Sequence, residues 1–180
     1  MTGWQPTPAR GASAFLARQF GGPSGLAGID PSPVARKSAR CRNAAAIKAG
    51  RLALMTGDAK AAVAFGPADL IVACHVLYFW ADPVGERQRV REALAPAGQL
   101  ALGYQLRQNM PPISRRAFPP QGFILYDSDD QLAGVLEQAG FTRPEIRIFG
   151  APDRPMGRLA LSAPALRQVT AHTVARAQEG

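Results

Sequence analysis

Cysteine and histidine are scarce in this chain of 180 residues, with two of each. Cys41 and Cys74 have no ligand partner at metal-binding spacing, so no metal site is expected and both read as reduced packing thiols. No apolar run approaches the roughly 18 residues that a bilayer span requires. The opening residues show no charged segment with an apolar one behind it. A cytoplasmic protein without a membrane partner is the expectation. Acidic residues are also few, 13 against 21 basic ones, which leaves a net charge of +8 and a pI near 10.5. A basic chain invites a nucleic-acid partner, but the basic residues are scattered, and their densest group is Arg36, Lys37, Arg40 and Arg42. No nucleic-acid-binding module accompanies them, and an Arg- and Ala-rich coding bias explains the excess better. Nor does a G-x-G-x-x-G occur anywhere, so the usual dinucleotide fingerprint is missing.

What is present is globular. Apolar residues make up 47% of the chain and charged ones 19%, and the length suits one domain. Residues 1–11, "MTGWQPTPARG", have no periodicity and read as irregular. "ASAFLARQF" (12–20) sets Phe15, Leu16 and Phe20 on one face of a helix, stopped by Gly21-Gly22-Pro23. "LAGI" then forms a strand ending at Asp30, and Pro31-Ser32-Pro33 opens a helix running to about Ala49. "LALM" (52–55) is a strand closing on Gly57-Asp58-Ala59.

"ADLIVACHVLYF" (68–79) is the most apolar run, unalternating and β-branched, as in a strand buried on both faces. Its segment 68–77 is expected to be interior, with Leu70, Ile71, Val72 and Val76 almost fully buried. A helix starts at Asp82-Pro83 and ends near Leu94, and "QLALGY" (99–104) is a strand. A Pro/Arg-rich loop over 106–122 leads to a capped helix carrying Leu132, Val135, Leu136 and Ala139. Strands at about 144–149 and 157–162 follow, and then a polar helix to Gly180. Strands alternating with helices argue for a doubly wound, mostly parallel α/β sheet. The last two strands are joined too briefly for a crossover helix and must pair antiparallel.

This order, with "GIDPSP", "GDA", "ADLIVACHVLYFW", "LAPAGQLAL" and "LAGVLEQAGF" at successive elements, resembles a class I S-adenosylmethionine-dependent methyltransferase. The resemblance implies a methyltransferase-like domain over 12–163, flanked by the irregular 1–11 and a helical tail at 164–180. It implies that Asp30 accepts hydrogen bonds from the ribose hydroxyls and Asp58 from the adenine amino group, while the Ala59 amide meets a ring nitrogen. Cys74 and His75 would line the methionine end. The cofactor would be S-adenosylmethionine and the partner a small-molecule methyl acceptor. Carboxylates accept only, which suits a vicinal diol.

Two departures from the family's pattern stand out. Pro96-Ala97-Gly98 replaces a "PGG" turn. More seriously, the first strand and its glycine-rich loop are not found: "GWQPTPARG" precedes the helix expected at 12–20, and prolines suit no central strand. The fold is therefore expected to be N-terminally truncated. Either a gap stays between the second and fourth strands of the family's sheet, or those two pair directly.

Each candidate also has a plainer role. Asp30 suits a helix N-cap, Asp58 a loop, and His75, a weak candidate for a general base, a packed core residue. Tyr78, Phe79 and Trp80 suit either a sulfonium or the core. Arg115 and Arg116 suit either an acidic substrate or a solvated loop, and His172 has no evident partner. A non-catalytic binding module and a nicotinamide-dependent oxidoreductase remain the alternatives to a methyltransferase.

Overall fold

The computed structural model describes residues 15–18, 25–64, 67–121, 124–151 and 154–165. Its strands are β1 (Phe15–Arg18), β2 (Leu26–Asp30), β3 (Leu52–Thr56), β4 (Ala68–Cys74), β5 (Leu94–Tyr104), β6 (Glu145–Ala151) and β7 (Arg154–Ser162). The helices are α1 (Pro33–Arg42), α2 (Ala44–Lys48), α3 (Ala59–Val63), α4 (Pro83–Glu92), α5 (Pro112–Gln121) and α6 (Asp129–Gln138). One sheet holds all seven strands in the order β3-β2-β1-β4-β5-β7-β6. The β2/β3 and β4/β5 pairs are parallel, and β7 runs antiparallel to both β5 and β6. A mixed sheet finishing in an antiparallel hairpin agrees with the pattern read from the sequence.

The centre of the sheet does not. A helix was expected over 12–20, with a gap or direct β2–β4 pairing beside it. Instead β1 occupies the slot between β2 and β4, antiparallel to both. Phe15 stands opposite Ile29 on one side and Ala73 on the other, and Arg18 opposite Leu26 and Leu70. The physical reason is the cost of the alternative. An open slot inside a sheet leaves two facing rows of backbone donors and acceptors unpaired, and each buried unpaired group costs about 1–3 kcal/mol. Pairing can be satisfied in either strand direction, whereas helical periodicity in nine residues is a weak preference.

Local signals place most of the remaining elements. Pro33, Pro83 and Pro112 each open a helix, where a missing N–H costs nothing. Ser32, Asp82 and Ser128 cap α1, α4 and α6 by accepting from Ala35, Gly85 and Gln131 N–H. The helix expected from 33 to 49 is broken at Asn43 into α1 and α2. The loop expected over 106–122 contains α5, because its prolines fall partly at a helix start. In β5, which begins five residues earlier than expected, Pro96 sits in a bulge between the pairings Ala68↔Leu94 and Leu70↔Gln99.

β4 is interior, as expected, but ends at Cys74, and its burial alternates. Ile71 is 1% exposed, while Leu70 and Val72 are only half-buried. They belong to the sheet face opposite to that of Ile71 and Ala73. Val76, 1% exposed, lies beyond the strand in the turn that follows. The core sits on the opposite face, where Ile71, Ala73, Leu100 and Leu102 meet Val90 of α4 and Leu132 and Leu136 of α6. Cys74 is exposed rather than packed, and Cys41 is exposed on α1. Among the described residues no helix is long and apolar enough to cross a membrane. The irregular 1–11, most of the tail at 164–180, and His172 lie outside the described residues.

Candidate functional site

The carboxyl ends of β2, β3 and β4 lie at one edge of the sheet, where open α/β sheets bind ligands. The β2/β3 register pairs Asp30 with Thr56, so Gly57 and Asp58 follow directly beside Asp30. Gly57 N–H donates to the Asp30 carbonyl at 3.3 Å. A side chain at Gly57 would place its Cβ 2.6 Å from Ala61 Cβ, so glycine is what lets β3 turn this sharply into α3.

Asp30 is 9% exposed, and its Oδ1 accepts from Ser32 N–H at 2.7 Å. The helix cap is Ser32, not Asp30. Asp58 does cap its helix: it accepts from Lys60 N–H at 2.9 Å at the start of α3, and remains exposed. A carboxylate has about four acceptor positions, and the contact with Lys60 takes one of those of Asp58. Ala59, the next residue, is fully buried.

Asp30 and Cys74 each lie one residue past the partners of Phe15, Ile29 and Ala73. They are therefore level along the sheet edge, on strands two ladder spacings apart, about 10 Å. Cys74 pairs with Gly103, where an added Cβ would come within 2.9 Å of the Cys74 sulfur. His75 continues that ladder by donating its N–H to the Gly103 carbonyl at 2.8 Å. It does so with φ +56, a left-handed conformation that is uncommon outside glycine and costs on the order of 1–2 kcal/mol.

The strained turn aims His75 at Tyr78. The Tyr78 hydroxyl accepts from Gln105 N–H at 2.6 Å and donates to the Gln105 carbonyl at 3.1 Å. It also lies 3.4 Å from His75 Nδ1. With the hydroxyl hydrogen committed to Gln105, Nδ1–H is assigned as the donor to Tyr78, and Nε2 keeps its lone pair. Burial of part of the ring pushes the His75 pKa down, partial burial of the Cys74 sulfur pushes its thiol up although the residue as a whole is exposed, and burial pushes the Tyr78 phenol up. All three groups are thus neutral near pH 7. The sequence exposed His75 and Tyr78 only separately; the link through Gln105, 27 residues from Tyr78, carries no local signal.

Tyr78 and Trp80 are buried and belong to the core. The Arg87 guanidinium lies 4.8 Å from the Trp80 ring and 5.7 Å from that of Tyr126. Arg115 and Arg116 are exposed on α5.

The profile of the methyltransferase domain family matches residues 8–102, over half of the chain. The chain belongs to this family. Solved structures place its fold among class I S-adenosylmethionine-dependent methyltransferases. The trans-methyltransferase CalH in complex with S-adenosylhomocysteine superimposes with a TM-score of 0.61 at 20% identity, covering 77% of this chain and 42% of CalH. The O-methyltransferase NcsB1, crystallised with S-adenosylmethionine and a naphthoic acid, gives 0.59 at 17% identity, with 77% and 41% covered. Mitomycin 7-O-methyltransferase MmcR gives 0.60 at 22% identity, with 76% and 41% covered. The chain therefore spans about two fifths of the length of each of the three. Among curated proteins, none matches it.

Proposed function

We propose that this chain binds S-adenosylmethionine at the β2–β3–β4 edge and directs its methyl group to a small-molecule acceptor. The observation that carries the reading is the placement of Asp30 beside Gly57-Asp58 by the β2/β3 register. Asp30, held in place by Ser32 N–H, takes the ribose hydroxyls. Asp58 and the Ala59 amide take the adenine, and Cys74 and His75 line the methionine end. The bound cofactor supplies an electrophilic methyl group on a sulfonium that is already a good leaving group. The protein's part is positioning and exclusion of water. Where the acceptor must lose a proton, His75 Nε2 is the neutral base at that end of the site.

A second reading has a specific observation behind it. The slot that the family gives to its first strand is filled here by an antiparallel one, so its carboxyl end, at Arg18, lies beside Leu26 and Leu70, at the far end of the sheet from Asp30. Binding with slowed transfer, or binding alone, follows from that. A nicotinamide cofactor would use Asp30 as well, but the Asp58-Ala59 pair offers it nothing specific.

In thermal unfolding, S-adenosylhomocysteine is expected to raise the transition temperature, by about 2.7 kcal/mol of stabilisation at a hundredfold excess over Kd. NAD is expected to leave it unchanged. A shift with NAD alone would reverse the assignment, and no shift with either would refute it.

His75 gives an independent check by NMR titration. Its pKa in the folded chain is lowered, so protons bind the unfolded chain first as pH falls below about 6.5. Stability is then level above that value and declines below it, until the folded pKa is passed. His75→Asn is expected to flatten this decline; a folded pKa above 6.5 would contradict the burial argument.

A further inference from the structure

An open surface cleft of about 350 Å³ is lined by Arg107, Pro112, Arg115, Arg116 and Leu125. That volume falls within the range of small-molecule sites. Pro112, Arg115 and Arg116 stand at i, i+3 and i+4 of α5 and so share one helix face. The other wall is braced. Arg107 N–H donates to the Tyr126 carbonyl at 2.8 Å, and the Arg107 guanidinium donates to Asp127 at 2.8 Å and to the Leu125 carbonyl at 3.4 Å.

Of the three arginines only Arg107 is paired with a carboxylate, Asp127, and Arg115 and Arg116 have no ion pair among the described residues. Planar guanidinium forks match a carboxylate with two parallel hydrogen bonds. Pro112 and Leu125 add apolar surface for the body of such a molecule. The cleft is also close to the cofactor edge. Gln105, whose backbone holds the Tyr78 hydroxyl beside His75, lies two residues before Arg107. Two extended residues reach at most about 7 Å.

We infer that this cleft binds the carboxylate of a small acidic methyl acceptor. The inference rests on the methyl-transfer reading for the acceptor's role, and on the cleft alone for its charge. The test uses the full chain, with benzoate, benzamide and inorganic phosphate as probes in calorimetry and ligand-observed NMR. Benzoate is expected to bind at least tenfold more tightly than neutral benzamide. The double variant Arg115→Gln, Arg116→Gln is expected to lose at least tenfold in benzoate affinity, and the control Arg40→Gln to lose nothing. Equal binding of benzoate and benzamide, or full benzoate affinity in the double variant, overturns the proposal. So does phosphate binding more tightly than benzoate. Titration with S-adenosylhomocysteine separates the two levels. Benzoate binding through the two arginines without S-adenosylhomocysteine binding would end the acceptor role and leave an acid site. The reverse result would remove the acid site and leave the cofactor reading intact.

Discussion

An Asp30→Ala variant is expected to bind S-adenosylhomocysteine about tenfold to a hundredfold more weakly than the wild-type chain. A charge-assisted hydrogen bond is worth roughly 1.5–3 kcal/mol, and about 1.4 kcal/mol corresponds to a factor of ten. Two contributions are lost at once. One is the acceptor for the ribose hydroxyls; the other is the acceptor that fixes Ser32 N–H at 2.7 Å. Asp30→Asn separates them, since an amide oxygen can still serve Ser32 but carries no charge. Calorimetry on the three proteins should place Asn between Asp and Ala. If Asn matches wild type, Asp30 serves the chain turn only. If Ala matches wild type as well, the ribose lies elsewhere.

Arg87→Ala is expected to destabilise the fold by about 3 kcal/mol, whereas Arg87→Met should cost only about 1 kcal/mol. Arg87 is fully buried, and no carboxylate pairs with it among the described residues. It donates to the Pro83 carbonyl at 2.6 Å and to the Tyr126 hydroxyl at 2.8 Å, while its Nε has no partner among the described residues. Burial alone pushes its pKa down, against the favourable pull of Tyr126. Alanine leaves a void between Trp80 and Tyr126. Methionine fills much of that void and removes an incompletely satisfied charge, though it leaves two acceptors without a donor. For a chain of this length, 1 kcal/mol shifts the melting temperature by roughly 2–4 °C, so the two variants should be clearly separated in calorimetry. A methionine variant as unstable as the alanine one would show that the charge, not the volume, holds this part of the core.

The pieces legible in the sequence were those with local causes. Pro33 and Pro83 announced helix starts, the turn into Asp30 announced a strand end, and the short link before β7 forced an antiparallel hairpin. Three features depended on distant partners and were not legible. β1 is defined by ladders to β2 and to β4, the latter more than fifty residues away, and nothing within "FLAR" specifies strand over helix. α5 was hidden by prolines whose meaning depends on whether they fall in a first turn. Arg87 looked like one of many scattered arginines, because burial of a cation follows from Trp80 and Tyr126 closing over it. At the candidate site, Asp30 and Asp58 could be named from strand ends, but the tautomer of His75 needed the Gln105 backbone.

The antiparallel β1 also divides the sheet along the chain. β1, β2 and β3 come wholly from residues 15–56, and β4 to β7 wholly from residues 68–162. Among the described residues a single four-residue ladder, Phe15–Arg18 against Leu70–Ala73, is the only strand pairing at the seam between these two contiguous halves, reinforced by the packing of α3 on α4. Asp30 and Asp58 lie on one side of the seam, Cys74 and His75 on the other. A molecule gripping all four would act as a clasp across it, so its binding energy would be felt as added cooperativity between the two halves.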